Sequence, residues 1–132
     1  MNSAGMKSYV TSELKGDVCK DFHHYLTTPT VTEEIHRTLS SRNFWIKVKD
    51  KKPWSATGQS VFQKTHKWNG SNDNYSLSVK IGAFTTIRKQ QETQLETTIT
   101  TFIPEGGDFV ELLKISVCNK GEHAQTFNAY YS

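Results

Sequence analysis

Cysteine and proline are scarce in this sequence of 132 residues: the only thiols are Cys19 and Cys118, and there are three prolines. Small secreted domains are stapled by many disulfides, and two thiols far apart in sequence are expected to be free instead. A membrane-spanning helix needs about 18 or more successive apolar residues, and no run approaches that length. Met1 to Met6 has neither the basic start nor the apolar stretch of a secretion signal. The expected compartment is the cytoplasm, so the sequons Asn69-Gly70-Ser71 and Asn74-Tyr75-Ser76 carry no meaning there.

A strong charge of one sign is also missing. Lys and Arg number 16 against 13 Asp and Glu, a net charge of +3. Nucleic-acid binders gather their bases on one face or stripe. Here the longest basic cluster, Lys49, Lys51 and Lys52, is broken by Asp50 and reads as a solvated turn. Neither a nucleic acid nor a membrane is expected as partner. The chain is also too short for a TIM barrel of about 250 residues or a helical toroid, and its length suits a single domain. A hydrophobic share of 35% predicts a thin core, while 11% aromatic residues is too rich for ordinary disorder.

Alternation of period two is the clearest signal present. Phe44, Ile46 and Val48 alternate with Trp45, Lys47 and Lys49; Leu77 and Val79 alternate with serines. Leu95, Thr97, Ile99, Thr101 and Ile103 share one parity, as do Phe109, Glu111, Leu113, Ile115 and Val117. Apolar residues on both parities at the start of the last run predict cover on both faces. Pro104-Glu105-Gly106-Gly107-Asp108 and Asn119-Lys120-Gly121-Glu122 supply turns. Gln59 to Trp68 reads as a further strand, and His123 to Tyr131 as one running to the last residue. Five successive strands with short loops predict an antiparallel meander. One short helix is predicted over Thr30 to Ser41, where Thr30 and Glu33 have capping-box spacing. The fold class expected is therefore all-β: an antiparallel β-sandwich with at most one short helix, an irregular segment over 1–41 and strands over 42–132.

Chemistry is harder to place. His23, His24 and His36, with Asp17, Cys19, Asp21 and Glu33 nearby, supply zinc-ligand types in no ordered spacing, so no metal is assigned. No P-loop, dinucleotide fingerprint or nucleophile elbow occurs. Glu92, Glu96, Glu105, Asp108, Glu111 and Glu122 read as solvating acids on outer parities or in turns. The cluster Arg42-Asn43-Phe44-Trp45 with Pro53-Trp54-Ser55-Ala56-Thr57-Gly58 is more suggestive. An indole can stack on a pyranose while Arg, Ser and Thr bind its hydroxyls. Arg42, Trp45, Trp54, Ser55 and Thr57 are the candidate carbohydrate contacts; alternatively, both tryptophans are packing residues.

The ordered stretches Asn2 to Thr11, Gly16-Asp17, Leu26-Thr27-Thr28-Pro29 with His36 following, Ser41 to Trp45, Trp54 to Gly58, Thr98 to Pro104, Val110-Glu111 to Ile115 and Asn119 to Glu122 resemble the amino-terminal region of cellobiose-phosphorylase-like proteins of glycoside hydrolase family 94. The resemblance implies the first part of a β-supersandwich, belonging to enzymes that use inorganic phosphate to split β-linked gluco-oligosaccharides with inversion. In that family an aspartate in a helical barrel is the general acid, and phosphate, a substrate rather than a cofactor, attacks from the opposite face. No residue here matches that aspartate, so the expected role is non-catalytic and without cofactor: structure, dimer contacts and carbohydrate binding. An incomplete sandwich also implies association through an exposed sheet edge, as a homo-oligomer. The reading from another class is a free-standing carbohydrate-binding module using Trp45, Trp54 and Trp68.

Overall fold

The computed structural model describes residues 1–11, 13–29, 42–67, 74–80, 83–90 and 92–132. The helix expected over Thr30 to Ser41, His36, Glu33 and Trp68 lie outside them. Three antiparallel sheets account for the strands among the described residues. A hairpin pairs β1 (Lys7–Ser8) with β2 (Val18–Cys19). The small sheet has the order β4-β3-β9, with β3 Phe44–Val48, β4 Trp54–Ser55 and β9 Phe127–Tyr131. The large sheet has the order β5-β6-β7-β8, with β5 Asn74–Lys80, β6 Ala83–Lys89, β7 Leu95–Phe102 and β8 Leu112–Asn119. The small and large sheets form an all-β sandwich around a core of Leu14, Ile46, Trp54, Ala56, Leu95 and Ile99.

Strand parity decides what fills this core. β7 alternates buried and half-buried residues along its whole length, with Leu95, Thr97, Ile99 and Thr101 inward. Opposite them, Ile46 of β3 is buried, and Phe44 and Val48 pack against the same cluster. The threonines on the inner row have a cost. The hydroxyls of Thr86, Thr97 and Thr101 are buried and find no hydrogen-bond partner among the described residues. An unsatisfied buried hydroxyl costs about 1–3 kcal/mol, and valine keeps the shape and strand preference of threonine. Thr97→Val is therefore expected to stabilise the protein by about 1 kcal/mol, read as a higher urea midpoint at unchanged m-value. A lower midpoint would show that the hydroxyl is satisfied.

The structure departs from the sequence expectations at four places. Val61–Lys67 is a helix, α1, where a strand was expected. Ser60 caps it: Gln63 N–H donates to Ser60 Oγ at 3.1 Å, and that hydroxyl donates to Gln63 Oε1 at 2.6 Å. Ser60-Val61-Phe62-Gln63 thus has capping-box spacing, with the Gln63 side chain on the Ser60 hydroxyl instead of its backbone N–H, and these local bonds outweigh β-favouring Val61 and Phe62. The meander stops at four strands, because β9 leaves it and pairs with all five residues of β3. β8 starts at Leu112 and is covered on one face only: Leu112 is 42% exposed, as Phe109 and Val110 before it are exposed. Glu111 is no solvating acid, since its side chain is 9% exposed against that of Arg42.

Candidate functional site

The five nominated carbohydrate contacts fall into four environments, set by the register of β3. Residues alternate across this strand, sending Phe44 and Ile46 toward the core and Trp45 to the outer face. Trp54 pairs with Ile46 and Ser55 with Trp45. Trp54 therefore enters the core, where it is 3% exposed.

Beneath α1, the outer face of the small sheet holds a buried polar network. Asn43 Oδ1 accepts from Ser55 Oγ at 2.8 Å and from Thr57 Oγ1 at 2.9 Å. The Gln63 carboxamide continues the sheet: its Oε1 accepts from Ser55 N–H and its Nε2 donates to Ser55 O, both at 2.9 Å. Ser55 and Thr57 are 0% and 2% exposed. Their polar atoms are committed to the protein, as buried polar groups must be, and present no hydroxyl-binding surface.

Arg42 lies on the inner side, at the entry to β3. Its Nε donates to Glu111 Oε2 at 2.6 Å and its Nη2 to Glu111 Oε1 at 3.2 Å, a forked pair. Nη1 donates to Gly16 O at 3.0 Å, and Ser8 Oγ also bonds the Glu111 carboxylate. The pair thus ties the amino-terminal segment, β3 and the start of β8 together. Gly16 is required for this approach: at φ 138° its backbone passes so close to Tyr9 that a Cβ would lie 1.9 Å from the Tyr9 carbonyl oxygen.

Trp45 alone of the five remains on a ligand-accessible face. It lines a cavity of about 600 Å³ with Lys52, Pro53, Gln59, Val61 and Phe62. Lys52 Nζ sits 4.5 Å from the centroid of the Phe62 ring, a cation–π contact. Polar groups at this wall are largely committed: Thr65 Oγ1 donates to Val61 O, and Gln59 Nε2 to Glu13 Oε2. The sequence cluster missed Phe62, because a strand over Gln59 to Trp68 gave it no relation to Trp45.

The histidine cluster is also resolved in part. His24 Nδ1 lies 2.7 Å from Asp21 Oδ2, and both side chains are exposed. The N–H of His23 and then the imidazole of His24 hold the Asp21 carboxyl below the ordinary carboxylate range. Among the described residues, no three His, Cys, Asp or Glu side chains converge on one point. Both cysteines are free, Cys19 buried and Cys118 exposed, and burial followed by Asp17 pushes the Cys19 thiol up. No helix of the described residues is long and apolar enough to cross a membrane. Compared with known proteins, the chain matches no protein-family profile and no curated protein.

Proposed function

We propose that this chain is the non-catalytic amino-terminal β-sandwich portion of a cytoplasmic carbohydrate phosphorylase of the family 94 type, a scaffold with dimer contacts for a catalytic helical barrel. One observation supports the reading. The stretches that carry the sequence resemblance meet in space through buried bonds: Asn43 with Ser55 and Thr57, and Arg42 with Glu111. Residue types held by such networks are dictated by the fold, so a resemblance concentrated in them speaks for a shared scaffold rather than for a shared sugar site.

The test is a chimera in which this chain replaces the matching amino-terminal segment of a family 94 cellobiose phosphorylase. A soluble chimera that releases α-glucose 1-phosphate from cellobiose and phosphate is expected. A chimera that folds its helical barrel yet stays inactive, beside an active parent, counts against the scaffold role. Alone with cellobiose and phosphate, the chain is expected to release no glucose 1-phosphate, and steady turnover would overturn the non-catalytic reading. The place of half-buried Trp45 on the wall of an open cavity beside Phe62 favours the second reading, a carbohydrate-binding module. Calorimetry with cello-oligosaccharides separates them, because only a module binds at micromolar concentration and loses that binding in Trp45→Ala.

A further inference from the structure

The outer cavity beside α1 has no part in the scaffold role. Its volume of about 600 Å³ lies in the range of sites that take small molecules. The walls are mostly apolar: Trp45 from β3, Pro53 before β4, and Val61 and Phe62 from the first turn of α1. Val61 and Phe62 are 81% and 43% exposed, so apolar surface is left in water at the mouth. The polar side chains of the wall are spent within the protein. Ser60 Oγ donates to Gln63 Oε1 at 2.6 Å, Thr65 Oγ1 to Val61 O at 2.8 Å and Gln59 Nε2 to Glu13 Oε2 at 2.7 Å. Lys52 is the one charged side chain of the lining among the described residues. Its ammonium lies 4.5 Å from the Phe62 ring centroid and makes no ion pair among the described residues. A ring face occupies one side of an ammonium and leaves N–H donors for an anion. Lys51 is turned to Glu92 at 2.6 Å, while Lys47, on the same face of β3 as Trp45, donates to Lys51 O. Lys47 and Lys52 outnumber Asp50, the acid of that turn, so this end of the cavity is positive.

We infer that this cavity binds a small aromatic carboxylate, its ring against Trp45 and Phe62 and its carboxylate on the Lys52 ammonium. Each half of such a ligand answers one part of the wall. A planar ring takes apolar area on both aromatic side chains out of water. A sugar covers less of it and carries a hydroxyl on almost every ring carbon. Each hydroxyl that loses water without a new partner costs free energy, and Ser60, Gln59 and Thr65 already have theirs within the chain. A cationic ligand is repelled by Lys52, with no acid in the described lining to offset it. A neutral hydrocarbon fits the apolar walls but strips water from the ammonium and returns nothing. A single negative charge matches a single ammonium, whereas a phosphate dianion calls for an arginine fork or several donors.

The test is a titration of the full chain with naphthylacetate, its neutral amide naphthylacetamide, and cellobiose, followed through the tryptophan indole N–H resonances. Naphthylacetate is expected to bind with a Kd of about 0.1–1 mM and the amide about fivefold more weakly, the worth of one partly exposed ion pair. That preference is expected to shrink at high salt. Lys52 is exposed, so substitutions there leave the fold intact, as a thermal melt would verify. Lys52→Met is expected to bring the acid down to the affinity of the amide and to leave the amide within twofold. In Lys52→Glu the preference is expected to reverse, toward naphthylethylamine. Trp45→Ala is expected to weaken the acid and the amide alike, by about tenfold. Equal binding of acid and amide, binding that survives Trp45→Ala, or no binding at all overturns the inference. Cellobiose binding more tightly than naphthylacetate also overturns it, and speaks for the carbohydrate-binding module. The chimera experiment is independent of every one of these outcomes.

Discussion

Replacing Arg42 with methionine is expected to cost about 3–5 kcal/mol, the penalty for removing one partner of a buried ion pair. Arg42 and Glu111 side chains are 8% and 9% exposed. Without the guanidinium, the Glu111 carboxylate stays buried with Ser8 as its one side-chain donor among the described residues, and Gly16 O loses its bond from Nη1. A domain of this size is stable by about 5–15 kcal/mol, and a thin core places this one toward the lower end. Most of that stability is then at stake in one side chain. Glu111→Leu in the same protein should recover part of the loss, because it removes the stranded charge. Urea unfolding followed by tryptophan fluorescence reads both. A loss under about 1 kcal/mol for Arg42→Met would mean that solvent reaches the pair as it does a surface bridge.

What the sequence made legible follows from how far each signal reaches. Period-two alternation names faces, and it placed Leu95, Ile99, Ile46 and the threonines of β7 correctly. It does not name partners, so His123 to Tyr131 reads as the fifth strand of the meander, whereas Phe127–Tyr131 pairs with β3. Glu111 stands in phase with Leu113, Ile115 and Val117, which was evidence of an inward carboxylate. Its charge outweighed its phase, and only the distant Arg42 makes the inward position tolerable. The helix at Val61–Lys67 was lost in a different way. Ser60 and Gln63 carry the capping spacing, yet the apolar content of the run drew it toward strand. The site suffered most, because adjacency in sequence had gathered Arg42, Trp45, Trp54, Ser55 and Thr57 into one face. The small sheet distributes them to the core, to the network under α1, to the buried pair with Glu111 and to the outer cavity. That distribution depends on the pairing of Trp54 with Ile46 in a strand of two residues, too short to show any period.

Trp54→Ala and Trp45→Ala are expected to separate sharply, and the contrast decides which indole belongs to the fold. Trp54 is 3% exposed and belongs to the buried cluster with Leu14, Ile46, Ala56, Leu95 and Ile99. Truncating a core tryptophan removes a large apolar area and leaves a cavity, a loss of about 3–5 kcal/mol. Trp45 stands half-buried on the outer face, with Phe62 and Pro53 across an open cavity. Its truncation leaves no sealed void, and about 1 kcal/mol or less of lost apolar contact is expected. Circular dichroism and urea midpoints on the two variants check this directly. A small effect at Trp54 would mean that its ring is free to face a ligand. A large effect at Trp45 would mean that the wall it forms with α1 holds the small sheet flat, and that the cavity is a structural joint rather than a place for a bound molecule.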